Sequence, residues 1–309
     1  MSSTTTIGMW GVPLAVIGGA LRVSTPFLFV SLGECITEKS GRINLGLEGT
    51  LVMGAMSGYG ISYLTGSPWL GVLAAAFAGM ILGAIHGWIC GLPGVNDIAL
   101  GIAMMLFGVG LAFFVGKALI KPTAPHLPVL DLAWWSDISQ VRSAFSISVL
   151  FIIGVILTPC LMWALKNTRW GLILRTVGES ADSARAMGYD VNRVRLLATM
   201  FGGALAGIGG SFLSLYYPGS WNEGLSSGQG LMAVALVIFA RWNPARCLIA
   251  ALLFGGAAAL GPALQSIGVT WGYHLFNATP YVLTLLIMVL SSSRRHALQG
   301  APGELSVMR

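Results

Sequence analysis

Residues 166–195 read KNTRWGLILRTVGESADSARAMGYDVNRVR. Of the chain's 17 basic and 11 acidic residues, nine lie in this stretch, and long apolar segments run on both sides of it. A polar island of this length in so apolar a chain needs water or another protein to sit against. Residues 166–191 therefore read as a loop outside the lipid, a handle by which a membrane protein is gripped.

Composition supports that reading. The 309 residues are 55% hydrophobic and 9% charged, with a mean hydropathy of +0.80. Soluble domains carry roughly 25% charged residues, so this chain cannot coat a globular surface with charge and its solvent is mostly lipid. The 42 glycines fit, because glycine lets membrane helices approach closely. The net charge of +6 does not point to nucleic acid, because the basic residues sit in short loops between apolar segments. The N-terminus, MSSTTTIGMW, shows no basic leader region or cleavage pattern.

A spanning helix needs about 20 apolar residues. Nine segments qualify, roughly 12–37, 44–65, 69–92, 97–119, 145–165, 192–217, 229–242, 246–267 and 277–293, the seventh being short. The expected fold is an all-α, polytopic helix bundle in one membrane domain over 1–309, since lipid leaves no backbone polar group unpaired. With 166–191 in the cytoplasm, the inner loops carry 13 Lys and Arg residues and the outer loops only Lys117, Lys121 and Arg142. The positive-inside bias then puts the N-terminus outside and the C-terminus inside. Arg22 is awkward within the first span. Either it is buried there, or residues 10–21 lie at the interface and the span begins near Arg22 with Pro26 in its first turn. The second picture costs less.

The outer loop 120–144 is kept extended by Pro122, Pro125 and Pro128, and Trp134 and Trp135 suit the headgroup layer. In the sixth span, Gly202, Ala206 and Gly210 recur every four residues, as do Gly203, Gly207 and Ser211, a pattern for close helix packing.

Polar groups inside spans are costly and mark candidate path residues. Glu34, Glu38, Arg42, Asn44 and Glu48 form one cluster. Glu38 and Arg42 have the spacing of a helical ion pair, although Gly41 argues for a turn there. Asn44 and Glu48 share a helix face, about 6 Å apart by helical rise. Asn96 and Asp97 open the fourth span, and Trp221, Asn222, Glu223 and Gln229 precede the seventh. None of these clusters holds a nucleophile with its base. Cys35, Cys90, Cys160 and Cys247 are scattered singly, as are His86, His126, His274 and His296, so no metal site is expected. No Gly-x4-Gly-Lys-Ser/Thr loop occurs, so the chain itself is not expected to hydrolyse ATP.

Three runs carry a resemblance: Ser40-Gly41-Arg42-Ile43-Asn44-Leu45-Gly46-Leu47-Glu48-Gly49, Val177-Gly178-Glu179 followed by Ala184, Ala186 and Gly188, and Ala235-Leu236-Val237-Ile238-Phe239-Ala240-Arg241-Trp242-Asn243-Pro244. Together they resemble the permease subunits of bacterial ABC importers of the ribose, nucleoside and branched-chain amino acid group, nearest the nucleoside or simple-sugar branch, over residues 20–293. The resemblance implies a multi-pass protein of the bacterial cytoplasmic membrane. It implies a second, paralogous permease chain, two ATPase subunits that carry the ATP and Mg, and an extracytoplasmic solute-binding protein. Glu34, Asn44, Glu48, Asn96, Asp97, Asn222 and Glu223 would belong to the translocation path. Gly178, Glu179, Ala184, Arg185, Ala186 and Gly188 would form the loop that couples to the ATPase. There a short helix is expected, capped near Ser180, stopped at Gly188, and offering Ala181, Ala184 and Ala186 to a groove on the partner. The chain departs from the family at Asp97, where Gln is common, and at Met105, where Asn is common. A proton-coupled secondary transporter using Glu34, Glu48 or Asp97 is the rival reading, and the charged loop 166–191 speaks against it.

Overall fold

The computed structural model describes residues 11–120, 123–133, 139–222, 224–266, 278–291 and 300–307. Trp134, Trp135, Glu223, His274 and His296 lie outside them. The chain runs through α1 (Gly11–Lys39), α2 (Leu47–Thr65), α3 (Pro68–Ile89) and α4 (Asp97–Gly116). A short ribbon follows, made of β1 (Val129–Asp131), α5 (Ser139–Ala144) and β2 (Ser146–Ser148). Then come α6 (Val149–Asn167), α7 (Arg169–Glu179), α8 (Ala181–Ala186) and α9 (Val191–Leu215). The described residues end with α10 (Gln229–Phe239), α11 (Pro244–Ser266), α12 (Thr279–Ser291) and α13 (Gly303–Val307).

The protein is a polytopic helical membrane protein. Among the described residues, six helices are long and apolar enough to cross a bilayer, within Pro13–Lys39, Pro68–Ile89, Asp97–Leu119, Val149–Asn167, Val191–Leu215 and Pro244–Gln265. The outer ones expose Leu73, Phe77, Leu106, Phe114, Ile156 and Trp163, a surface suited to hydrocarbon rather than water. The two helices that depart most from the expected spans do so for different reasons. α2 is long enough but rich in Gly, Ser, Thr and Tyr; it lies among α3, α4, α9 and α10, so protein shields it and apolarity is not required. α10 has 11 residues, about 16 Å of helix, and cannot cross alone.

Glycine sets the close packing at the centre. The two small-residue stripes of α9 each meet a neighbour. A Cβ on Gly203 would collide with the Gly79 carbonyl oxygen of α3, and one on Gly210 with the Leu51 carbonyl oxygen of α2. Gly54 of α2 lies on Gly207 in the same way, and Gly33 of α1 on Gly202.

Three expectations are corrected. α1 is continuous from Gly11, with Pro26 inside it rather than in its first turn. Arg22 is accommodated because its Nη2 donates to Ser146 Oγ at 2.9 Å, so β2 supplies the polar partner lipid could not. Secondly, the all-α bundle carries one short ribbon that delays a helix. Residues 129–131 pair antiparallel with 146–148, Leu130 opposite Ile147, and the helix expected from 145 begins at Val149. Thirdly, α1 stops at Lys39 and Gly41 takes φ +82°, so Glu38 and Arg42 are not a helical pair; nor is Asn44 helical, since α2 starts at Leu47.

Candidate functional site

Two non-helical segments each lead to a helix start that packs against protein, and the first of them is largely buried. The first is residues 40–46. Non-helical backbone at membrane depth is tolerated only where protein satisfies its polar groups, and here polar side chains do so. Asn44 N–H donates to Glu34 Oε1 at 2.8 Å, and Gly46 N–H to Asn44 Oδ1 at 2.9 Å. The Ser40 carbonyl accepts from Arg195 Nε at 3.0 Å. Arg42 Nη1 pairs with Asp97 Oδ1 at 2.5 Å, both side chains being buried. His86 Nε2 lies 3.3 Å from the Ile43 carbonyl, a donor contact in the Nε2–H tautomer. Asn96 caps α4, accepting from Ile98 and Ala99 N–H, which leaves Asp97 in the first turn to face Arg42.

The second segment is residues 216–228, which leads from α9 into α10. Gly228, at φ +78°, is the α10 N-cap, and no side chain of its own can satisfy the helix start. Glu48 does so from α2. Its Oε1 accepts from Ser226 Oγ at 2.5 Å and from Gly228 N–H at 3.1 Å, and its Oε2 from Gly230 N–H at 2.6 Å. Glycine is required at 230, because a Cβ there would stand 2.6 Å from Glu48 Cα. Glu48 lies six residues before Gly54, about 9 Å along α2, well inside the bundle. Its carboxylate thus holds the positive end of the short helix α10 while sitting in the first turn of α2.

At its far end α10 closes on the first segment. Arg241 and Trp242 both take positive φ, 51° and 53°, a conformation costly for large side chains. The Trp242 indole N–H donates to Glu38 Oε2, and Asn243 Oδ1 accepts from Ala245 N–H to start α11 at Pro244. The run 235–244 is therefore the turn that ties α10 to α1. A cavity of about 330 Å³ lies at the start of α10, lined by Arg22, Pro26, Phe212, Tyr217, Leu225 and Gln229 among others.

The structure thus brings Glu34, Asn44, Asn96 and Asp97 together around one junction and puts Glu48 at the other, all with protein partners. Asn222 is exposed, its amide donating to Ser220 Oγ at 3.2 Å. Sequence reasoning missed the roles of Ser226, Trp242 and Arg195, whose partners are far away in the chain.

In the loop 166–191 the expected short helix is present as α8. Ser180 caps it, accepting from Ser183 N–H at 3.2 Å, and Gly188 ends it at φ +85°. Its alanines differ from the expectation. Ala181 and Ala184 are buried against Val177 and Val191, and only Ala186 is exposed. They hold α8 to the chain itself, so they are not the surface offered to a groove. Arg185 bonds Asp182 at 2.9 Å on the exposed side. Gly178 is fixed by close approach, since a Cβ there would collide with the Lys39 carbonyl oxygen.

A multi-pass helical bundle with a short helix, α10, starting inside it has the architecture of transmembrane solute permeases. The chain is a member of the family described as branched-chain amino acid transport system / permease component, whose sequence model matches residues 16–292. It is similar to the ABC transporter permease protein TsgC13 of Haloferax volcanii, whose name gives glucose, at 33% identity over 257 residues, 82% of this chain and 78% of the relative. It is 30% identical to the guanosine ABC transporter permease protein NupQ of Bacillus subtilis over 298 residues, covering 88% of this chain and 90% of NupQ. Against the nucleoside ABC transporter permease protein NupC of Lactococcus lactis it is 27% identical over 291 residues, 89% of this chain and 91% of NupC. The same two bacteria each hold a second, more distant relative, NupP at 22% and NupB at 23%. Membership of this family disfavours the stand-alone secondary transporter.

Proposed function

We propose that this chain is the translocation subunit of an ATP-driven importer for an uncharged polar solute, a nucleoside or simple sugar. One observation carries the solute class. In membrane carriers, half-helix N-termini inside the bilayer commonly face the anionic group of a substrate. Here the protein's own Glu48 carboxylate takes the donors at the start of α10. That position is closed to a solute carboxylate, as an amino acid would bring, and suits a neutral one. The names of NupQ, NupC and TsgC13 agree.

In this reading nine segments cross the bacterial cytoplasmic membrane, with the N-terminus outside and the C-terminus inside. α10 is completed by the non-helical chain before it. Glu34, Asn44, Glu48, Asn96 and Asp97 frame the path, and Asn222 stands at its outer approach. The residues Gly178–Gly188 face an ATPase subunit that carries ATP and Mg. A paralogous permease completes the pore, as the pairs NupB with NupC and NupP with NupQ support. A solute-binding protein delivers from outside.

The test is competition for uptake in cells expressing the complete transporter. Excess unlabelled guanosine or glucose should suppress uptake of the matching labelled solute, and leucine should not. Uptake of labelled leucine that neither neutral solute suppresses would refute the solute class.

A further inference from the structure

The chain's last described helix, α13, is only five residues long, yet its Glu304 joins three distant parts of the sequence. Glu304 Oε1 accepts from Ala181 N–H at 2.8 Å, and Oε2 pairs with Arg195 Nη2 at 3.0 Å. Arg195 in turn donates through Nε to the Ser40 carbonyl at 3.0 Å. The backbones are close as well. A Cβ on Gly303 would collide with the Glu179 carbonyl oxygen, and one on Gly41 would stand 2.8 Å from Glu304 Cβ. Ala301 and Leu305 pack on the main apolar core, which anchors the strap at both ends of the carboxylate.

This arrangement serves two groups, the Ala181 N–H and the Arg195 guanidinium. Ala181 N–H is one of the donors a helix start leaves without an intrahelical partner. Ser180 serves Ser183 N–H, and Glu304 serves Ala181. Arg195 is almost wholly buried, and a buried guanidinium needs a charge partner. The side-chain link from the start of α8 to the α1–α2 junction therefore runs Ala181, Glu304, Arg195, Ser40. The backbone link is the contact of Gly178 with Lys39.

We propose that Glu304 is a positioning residue that makes α8, α9 and the 40–46 junction move as one body. The proposal rests on reading α8 as the ATPase-facing element. Displacement of α8 is then passed through the Glu304–Arg195 pair to the segment that precedes α2, and so to Glu48 and α10. Removal of the carboxylate leaves α8 packed through Ala181 and Ala184 but frees it to tilt without the junction.

The test uses the assembled importer in nanodiscs. Spin labels are placed at Met187→Cys and Leu64→Cys, both exposed, in a Cys160→Ser background; Cys35, Cys90 and Cys247 are buried. The distance distribution is read by pulsed EPR before and after trapping the ATPase with ATP and vanadate. Both labels stand on the body that Glu304 ties together, Met187 at the end of α8 and Leu64 on α2, so trapping should leave their distribution unshifted in the otherwise unaltered chain. In Glu304→Ala, α8 tilts without the junction, and the shifted population relative to the unshifted one should rise roughly fivefold or more, the low end of coupling between sites. Glu304→Gln keeps an acceptor for Ala181 but no charge for Arg195, and should fall between. A distribution in Glu304→Ala that stays as unshifted as the parent's overturns the proposal, as does a parent that shifts as far as that variant. If Glu304→Ala does not assemble, Glu304→Gln decides by the same measure. A complex with Glu304 intact in which vanadate traps no nucleotide overturns the ATP-driven reading itself, and the proposal with it.

Discussion

The two interior junctions solve one problem in opposite ways. Residues 40–46 are fastened by many local groups: Glu34, Asn44, the Arg42–Asp97 pair, and Arg195 on Ser40. The start of α10 depends on a single foreign carboxylate, Glu48, which takes three donors. The first junction is a braced joint. The second is hung from the first, because Glu48 sits in the helix the first junction launches. The start of α10 is thus tied to the 40–46 segment through α2 and Glu48.

Substitutions sharpen the contrast, from the largest expected effect downward. Arg42→Met leaves Asp97 buried without its charge partner and should cost about 3–5 kcal/mol of stability. The double change Arg42→Met with Asp97→Leu should recover most of that, read as melting in detergent; no recovery would mean the joint relies on the charges for more than each other. Glu48→Ala removes the acceptor at the α10 start and should cost about 1–3 kcal/mol, the cost of a buried donor left unsatisfied. Glu48→Gln, which keeps acceptor capacity at one oxygen, should cost less. An Ala variant as stable as the parent would show that α10 is not hung from Glu48. Gly230→Ala forces a shift of Glu48 or α10 and should cost about 1–3 kcal/mol, as overpacking does. Asn96→Ala removes the α4 cap for about 1 kcal/mol. Asp182→Ala, which breaks only an exposed pair on α8, should stay within about 1 kcal/mol.

What could be read beforehand followed from lipid. A helix facing hydrocarbon must be apolar along its length, so six spans were legible from hydropathy alone. α2 was located by length, but its central position was not visible, because a helix wrapped in protein loses the hydropathy signal. α10 was visible as a short segment; that it starts inside the bundle depends on Glu48, 182 residues before Gly230 in the chain. The small-residue stripes of α9 were correctly read as packing faces, since period alone fixes a face. The alanines of α8 were not, because their spacing fits a face turned inward onto Val177 and Val191 as well as one turned out. Local spacing offered Glu38 to Arg42, against the turn signalled by Gly41, whereas its partner Asp97 stands 55 residues away. Three-residue strands such as β1 and β2 carry too little pattern to be seen.

The most direct test is uptake by proteoliposomes holding this chain with its paralogous permease, ATPase subunits and solute-binding protein. The account predicts that labelled guanosine or glucose accumulates only when ATP is enclosed on the ATPase side, and that a protonophore leaves the rate unchanged. Accumulation driven by a pH gradient without ATP, and abolished by the protonophore, would contradict it.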